Sequence, residues 1–144
     1  MTKVLAQLNI ATALAPIDSP QLKDFVDNLD YINGIAEQSP GFIWRLKDET
    51  GNATDIQLFD NPQTITNMSV WQDAEALKNF MFKTDHIKFF KRKAQWFEKP
   101  TKATYVLWWI DEGHTPTLAE AKDKLAQLQQ HGESEQAFSF KKLY

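Results

Sequence analysis

Cysteine is absent from this chain. That excludes disulfides, thiol nucleophiles, zinc fingers and iron–sulfur clusters. Histidine occurs only three times, which leaves little material for a metal centre. No apolar run approaches the roughly 20 residues of a membrane span, and the opening stretch MTKVLAQLNIATALAP is a poor signal peptide, because Gln7 and Asn9 interrupt its apolar run. Net charge is also slight: −3, with a pI near 5.6, which argues against a general nucleic-acid binder. Internal repeats, low-complexity tracts and linkers are missing. The expectation is one domain over residues 1–144, soluble and cytoplasmic, with no membrane or nucleic-acid partner.

What the chain does have is aromatic surface. Five Trp and ten Phe need a use: a large core, a ligand pocket or a subunit interface. At 144 residues the chain is long enough to bury a core without staples.

The periodicities resolve into alternating elements. Lys3 to Thr12 is strand-like, with Val4, Leu8 and Ile10 on one face and Leu5, Gln7 and Asn9 on the other. Asp18-Ser19-Pro20 announces a helix carrying Leu22, Phe25, Val26, Leu29, Ile32, Ile35 and Ala36, stopped by Ser39-Pro40-Gly41. Phe42 to Lys47 is a second strand, followed by a turn at 48–52 and a short strand at 56–59. Thr64 to Trp71 is the third main strand. Asp73 caps a helix with a stripe of Ala76, Leu77, Phe80 and Met81, and Thr84-Asp85 predicts a kink or a new helix. Ala103 to Ile110, ATYVLWWI, is almost wholly apolar, as a strand buried on both faces is. Thr117-x-x-Glu120 matches a capping box before a last helix ending at His131-Gly132, and Ala137 to Phe140 suits a short final strand.

The order strand, helix, strand, strand, helix, strand predicts an α+β, ferredoxin-like βαββαβ fold. Its antiparallel sheet has the order 4-1-3-2, both crossover helices on one face, and an extra C-terminal helix. A bare second sheet face would leave several large apolar side chains wet, at a loss of roughly 25 cal/mol per Å². Two answers are open. A second copy packs sheet to sheet as a homodimer, which is the favoured expectation, or the last helix and tail cover that face within one chain.

The segments LAQLNIA, INGIAEQSPGFIWRL, MSVW-x₃-EAL-x₂-F and YVLWWIDEGHTPT-x₂-EA together resemble a family labelled domain of unknown function 3291. The resemblance runs from about Leu5 to Phe140. That family resembles in turn the dimeric α/β-barrel superfamily, which includes antibiotic-biosynthesis monooxygenases and haem-degrading enzymes. The resemblance implies a dimeric barrel and, as the leading enzyme reading, a cofactor-independent, monooxygenase-like activity on a small apolar or aromatic compound. The alternative is a non-catalytic small-molecule-binding or structural dimer. Haem-degrading relatives use an asparagine, a tryptophan and a histidine. Asn9 can take the first position, but Phe80 and Phe90 stand at the other two, so no haem and no other cofactor is expected.

Candidate chemistry gathers on the first and third strands. Asn9 with Gln7, and Asn67 with Ser69 and Trp71, lie on neighbouring strands in the order 4-1-3-2. If their faces coincide, they either orient a polar group of an apolar ligand or simply satisfy one another. His86 opens a helix, where its pKa tends downward and a neutral imidazole suits a base. No partner stands at i+4, so no metal is expected there. In the oxygenase reading, Asn9, Asn67 and Trp71 position the substrate and His86 accepts a proton. Trp108 and Trp109 point to opposite faces, and Trp109 either stacks on a flat ligand or packs the core. Lys88, Lys91, Arg92 and Lys93 are expected on a solvated face.

Overall fold

The computed structural model describes residues 2–47, 61 and 63–144. The turn expected at 48–52 and the strand expected at 56–59 lie outside the described residues.

β1 (Lys3–Thr12) runs through the middle of the sheet, paired antiparallel with β3 (Thr64–Trp71) on one side and β4 (Tyr105–Asp111) on the other. β2 (Phe42–Arg45) lies outside β3, so the order is β2-β3-β1-β4. This is the expected 4-1-3-2 sheet read from the opposite edge. Register decides everything about the faces. Leu5 stands opposite Trp71 and Trp109, Gln7 opposite Ser69 and Leu107, and Asn9 opposite Asn67 and Tyr105. Side chains alternate along a strand, and directly opposed residues share a face. All nine therefore point the same way.

The first crossover follows a 3₁₀ turn with α1 (Lys23–Asp27) and α2 (Leu29–Gln38). The single helix expected from Pro20 is broken at Asn28. Its backbone leaves helical geometry (φ −103°, ψ 1°), and its side-chain amide donates to the Asp24 carbonyl at 2.7 Å. The second crossover holds α3 (Ala74–Lys83), α4 (His86–Lys91) and α5 (Lys93–Trp96). Asp73 caps α3 by accepting from the Ala76 N–H at 2.8 Å, and Thr84 makes the expected break. Its hydroxyl donates to the Phe80 carbonyl at 2.6 Å and accepts from the His86 N–H at 3.2 Å. That satisfies one helix end and one helix start.

α2 and α3 cover the Leu5 face. Ala36, Leu77 and Phe80 pack there with Leu5, Trp71, Leu107 and Phe138. The two crossovers meet where Gly41, at φ +84°, passes α3. A Cβ there would stand 2.5 Å from that of Ala76, so only glycine fits both the backbone and the space.

The opposite face is closed by α6 (Leu118–His131). Ala121, Leu125 and Leu128 pack on Val4, Ala6, Leu8, Val106, Trp108 and Ile110, all under a tenth exposed in the single chain. This corrects the sheet-to-sheet argument. The apolar face that called for a second subunit is hidden beneath the chain's own last helix, so burial alone no longer requires a dimer. The reason is plain in the start of α6. Thr117 accepts from the Glu120 N–H at 3.1 Å as a cap should. The Glu120 carboxylate, instead of reaching back to the cap, takes the Trp108 indole N–H and His114, both at 2.8 Å, and ties the helix to β4.

After α6 the chain turns at Gly132 (φ +78°) and rounds the edge of β4. Phe138 exchanges backbone hydrogen bonds with Leu107, at 2.6 and 2.9 Å. The strand expected over Ala137 to Phe140 shrinks to this one bridge. Ser139 is drawn away, its N–H and hydroxyl both bonded to Glu133, at 2.8 and 2.9 Å.

Candidate functional site

The Leu5 face, under α2 and α3, carries a buried polar network. The Gln7 amide donates to Asn67 Oδ1 and to Ser69 Oγ, both at 2.7 Å, and the Trp71 indole donates to Ser69 Oγ at 2.8 Å. Gln7, Ser69 and Trp71 are buried. The faces of β1 and β3 thus coincide, and the innermost groups satisfy one another. Asn9 and Asn67 are exposed. The polar strip therefore starts in solvent at these two amides and ends dry at Trp71.

His86 joins the strip through aromatic contacts. Its ring lies 4.9 Å from that of Phe80, which stacks on Trp71 at 5.2 Å and 21°. His86 Nδ1 lies 3.0 Å from the Met81 carbonyl. A carbonyl only accepts, so Nδ1 carries the proton and Nε2 keeps its lone pair. Burial pushes the His86 pKa down, while the Met81 hydrogen bond pulls the other way. The direction matches the expectation, but its cause is desolvation rather than the helix start. The six-residue α4 supplies little dipole.

Trp109 sits at the far end of the same face, level with Leu5. Its ring lies 6.3 Å from that of Phe138, and its indole donates to the Tyr144 carbonyl at 2.8 Å. The segment after α6 therefore covers it, and Trp108 is held on the other face. Sequence reasoning missed Tyr105. It is the cross-strand neighbour of Asn9, its ring lies 5.5 Å from that of Phe140, and its hydroxyl is buried with no hydrogen-bond partner. Burial also pushes its pKa up, so it stays a donor. The alternation of β4 put Tyr105 on this face, but only the register sets it beside Asn9.

Elsewhere, three of the four cations of the basic cluster are met within the chain. Arg92 lies over Trp96 at 4.6 Å and pairs with Asp24 at 3.0 Å, Lys93 lies over Phe90 at 4.2 Å, and Lys88 pairs with Asp85 at 3.2 Å. Among the described residues, no group of three or more His, Asp or Glu is placed to hold a metal ion, and no helix is long and apolar enough to cross a membrane. A surface cleft of about 470 Å³ lies between α3 and Leu143, lined also by Glu75, Lys78, Asn79 and Phe82. None of the expected site residues lines it.

Several solved structures are similar to this chain. PA3566 from Pseudomonas aeruginosa is 14% identical with a TM-score of 0.50, over 79% of this chain and 98% of its own. NE2512 from Nitrosomonas europaea, a protein of unknown function, is 13% identical at 0.48, over 81% and 95%. SnoaB from Streptomyces nogalater, a cofactor-independent oxygenase, is 13% identical at 0.46, over 80% and 97%. Identities this low speak to the fold and not to the reaction. No curated protein matches the sequence. The family model of the domain of unknown function DUF3291 matches residues 4–144, nearly the whole chain with all four strands and both faces of the site, and the chain belongs to that family.

Proposed function

We propose that this chain binds a small aromatic compound along the Asn9–Asn67 strip and oxidises it with dioxygen without a cofactor, with His86 as proton acceptor. One observation carries this reading. The Met81 carbonyl holds the proton on His86 Nδ1 and burial favours the neutral ring, so Nε2 is a ready base at neutral pH. Asn9 and Asn67 orient a polar edge of the substrate. Trp71, held by Ser69, and Trp109, level with it across β1, form the apolar inner end of the strip against which the ligand packs.

The chemistry follows from those parts. His86 Nε2 takes a proton from an acidic benzylic C–H that is conjugated through the rings with an aromatic ketone. The conjugated carbanion is itself the reductant and gives its electrons to dioxygen, forming a C–O bond. The imidazolium returns the proton to the peroxide, and loss of water leaves a carbonyl: R₂CH₂ + O₂ → R₂C=O + H₂O.

Anthrone is a suitable probe. Oxygen uptake above the protein-free rate is expected with the wild-type protein. His86→Gln should lower it about a hundredfold or more, the usual contribution of a general base. Equal uptake by the variant refutes the base. The second reading, a non-catalytic binder, is favoured by the mutual satisfaction of Gln7, Ser69 and Trp71, and is the outcome if anthrone quenches tryptophan fluorescence without oxygen uptake. A cytoplasmic homodimer belongs to the proposal too. With the outer face taken by α6, the second copy meets the chain elsewhere. A clean monomer on sedimentation at micromolar concentration removes the dimer and leaves the site.

A further inference from the structure

We infer that Tyr105 is the group that recognises the ligand's oxygen at this site, its hydroxyl donating to the carbonyl oxygen of an aromatic ketone. The inference rests on the ligand site proposed above. The hydroxyl is buried and has no partner. Buried polar groups in folded chains are nearly always paired, and an unpaired one costs about 1–3 kcal/mol. Among the described residues, two other buried hydroxyls share this condition, those of Ser19 and Thr66. Ser19 precedes the first helical turn. Thr66 lies opposite Ile10, on the α6 side of the sheet. Tyr105 alone of the three lies on the strip.

Its placement gives the missing partner an address. Asn67, Asn9 and Tyr105 form one row across β3, β1 and β4, and directly opposed residues have Cβ atoms about 4.5–5.5 Å apart. The next row inward is already tied together by Gln7 and Ser69. Two amides in the outer row are exposed and the phenol beside them is dry. A flat ligand laid along the row meets solvent-facing amides first and the phenol last. Phe140 packs on the Tyr105 ring, with the Lys78 ammonium 5.2 Å from the Phe140 centroid, so the ring is held in place.

The choice of a ketone follows from the donor. A phenol that stays protonated gives one hydrogen bond and needs an acceptor. When His86 removes the substrate's proton, negative charge moves onto the ketone oxygen. A hydrogen bond to an ionised acceptor is roughly twice as strong as a neutral one. The Tyr105 contact thus strengthens as the reaction advances, which is what accelerates a chemical step.

Tyr105→Phe tests this with two ligands, anthrone and 9,10-dihydroanthracene, which has the same three-ring frame and no carbonyl. Binding is read from tryptophan fluorescence, turnover from oxygen uptake and folding from the melting temperature. The variant should melt at or above the wild-type temperature, because it loses an unpaired buried hydroxyl. It should bind anthrone about tenfold more weakly, the worth of one hydrogen bond, and bind dihydroanthracene unchanged. Unchanged anthrone binding overturns the inference, as does equal loss for both ligands. A lower melting temperature with unchanged binding assigns the hydroxyl to a water and overturns it as well. Failure of anthrone to bind the wild-type protein overturns the inference together with the proposed function. Binding with undiminished oxygen uptake by His86→Gln removes only the base.

Discussion

Replacing Leu125 by alanine asks directly what covers the outer face of the sheet. Leu125 is 2% exposed and packs from α6 among Val4, Ala6, Val106 and Trp108. Truncating a buried leucine costs about 2–5 kcal/mol, with the upper end reached where the cavity cannot collapse. A strand surface fixed on its other side by α2 and α3 is a poor candidate for collapse. For a chain of 144 residues the unfolding entropy is about 0.3 kcal/mol/K, so each kcal/mol lowers the melting temperature by about 3 °C. The expected drop is therefore roughly 6–15 °C, read by calorimetry on the reversible transition. Gln130→Ala, on the exposed side of the same helix, should change stability by no more than about 0.5 kcal/mol. A Leu125→Ala protein melting within about 2 °C of the wild type would refute the covering role of α6 and return that face to a second subunit.

Two further outcomes are expected. Ser69→Ala leaves the Trp71 indole N–H buried without its acceptor, and should lower the free energy of unfolding in urea by about 1–3 kcal/mol; an unchanged midpoint would mean the indole finds another partner. The His86 pKa is lowered by burial, so between its folded value and the unfolded value near 6.5 the unfolded chain binds more protons. The stability it contributes is complete above about pH 6.5 and is lost as pH falls through the folded value. The difference in urea midpoint between wild type and His86→Gln should therefore shift in the wild type's disfavour on acidification, and a constant difference would contradict the buried neutral ring.

Much of the fold was legible because hydrophobic patterns report burial. ATYVLWWI announced a strand covered on both sides, and the structure agrees, with Val106 and Trp108 under α6 and Leu107 against Phe138. What covers the second side was not legible. The apolar stripe of α6 says that the helix packs, not on which layer, and the Glu120 link to Trp108 is visible only in space. The polar strip was half legible. Residues two apart share a face, so Asn67, Ser69 and Trp71 were grouped correctly, but a one-residue slip between strands would have turned Gln7 to the other face. Tyr105 escaped notice for that reason, since nothing along the chain sets it across from Asn9. The neutral His86 was read with the correct sign and the wrong cause, because burial is a property of the packed Phe80–His86 pair and not of helix position.

The path of the last quarter of the chain has a further consequence. α6 lies on one side of β4, Phe138 bonds to its outer margin, and Phe140 and Tyr144 return across the other side. A strand wrapped on three sides cannot serve as a template for a neighbouring molecule's backbone there. Cutting the chain after His131 would leave α6 in place and open the other two sides in one step, baring the Leu107 peptide and the Trp109 surface. The shortened protein should then gather into β-rich aggregates where the intact one stays dispersed.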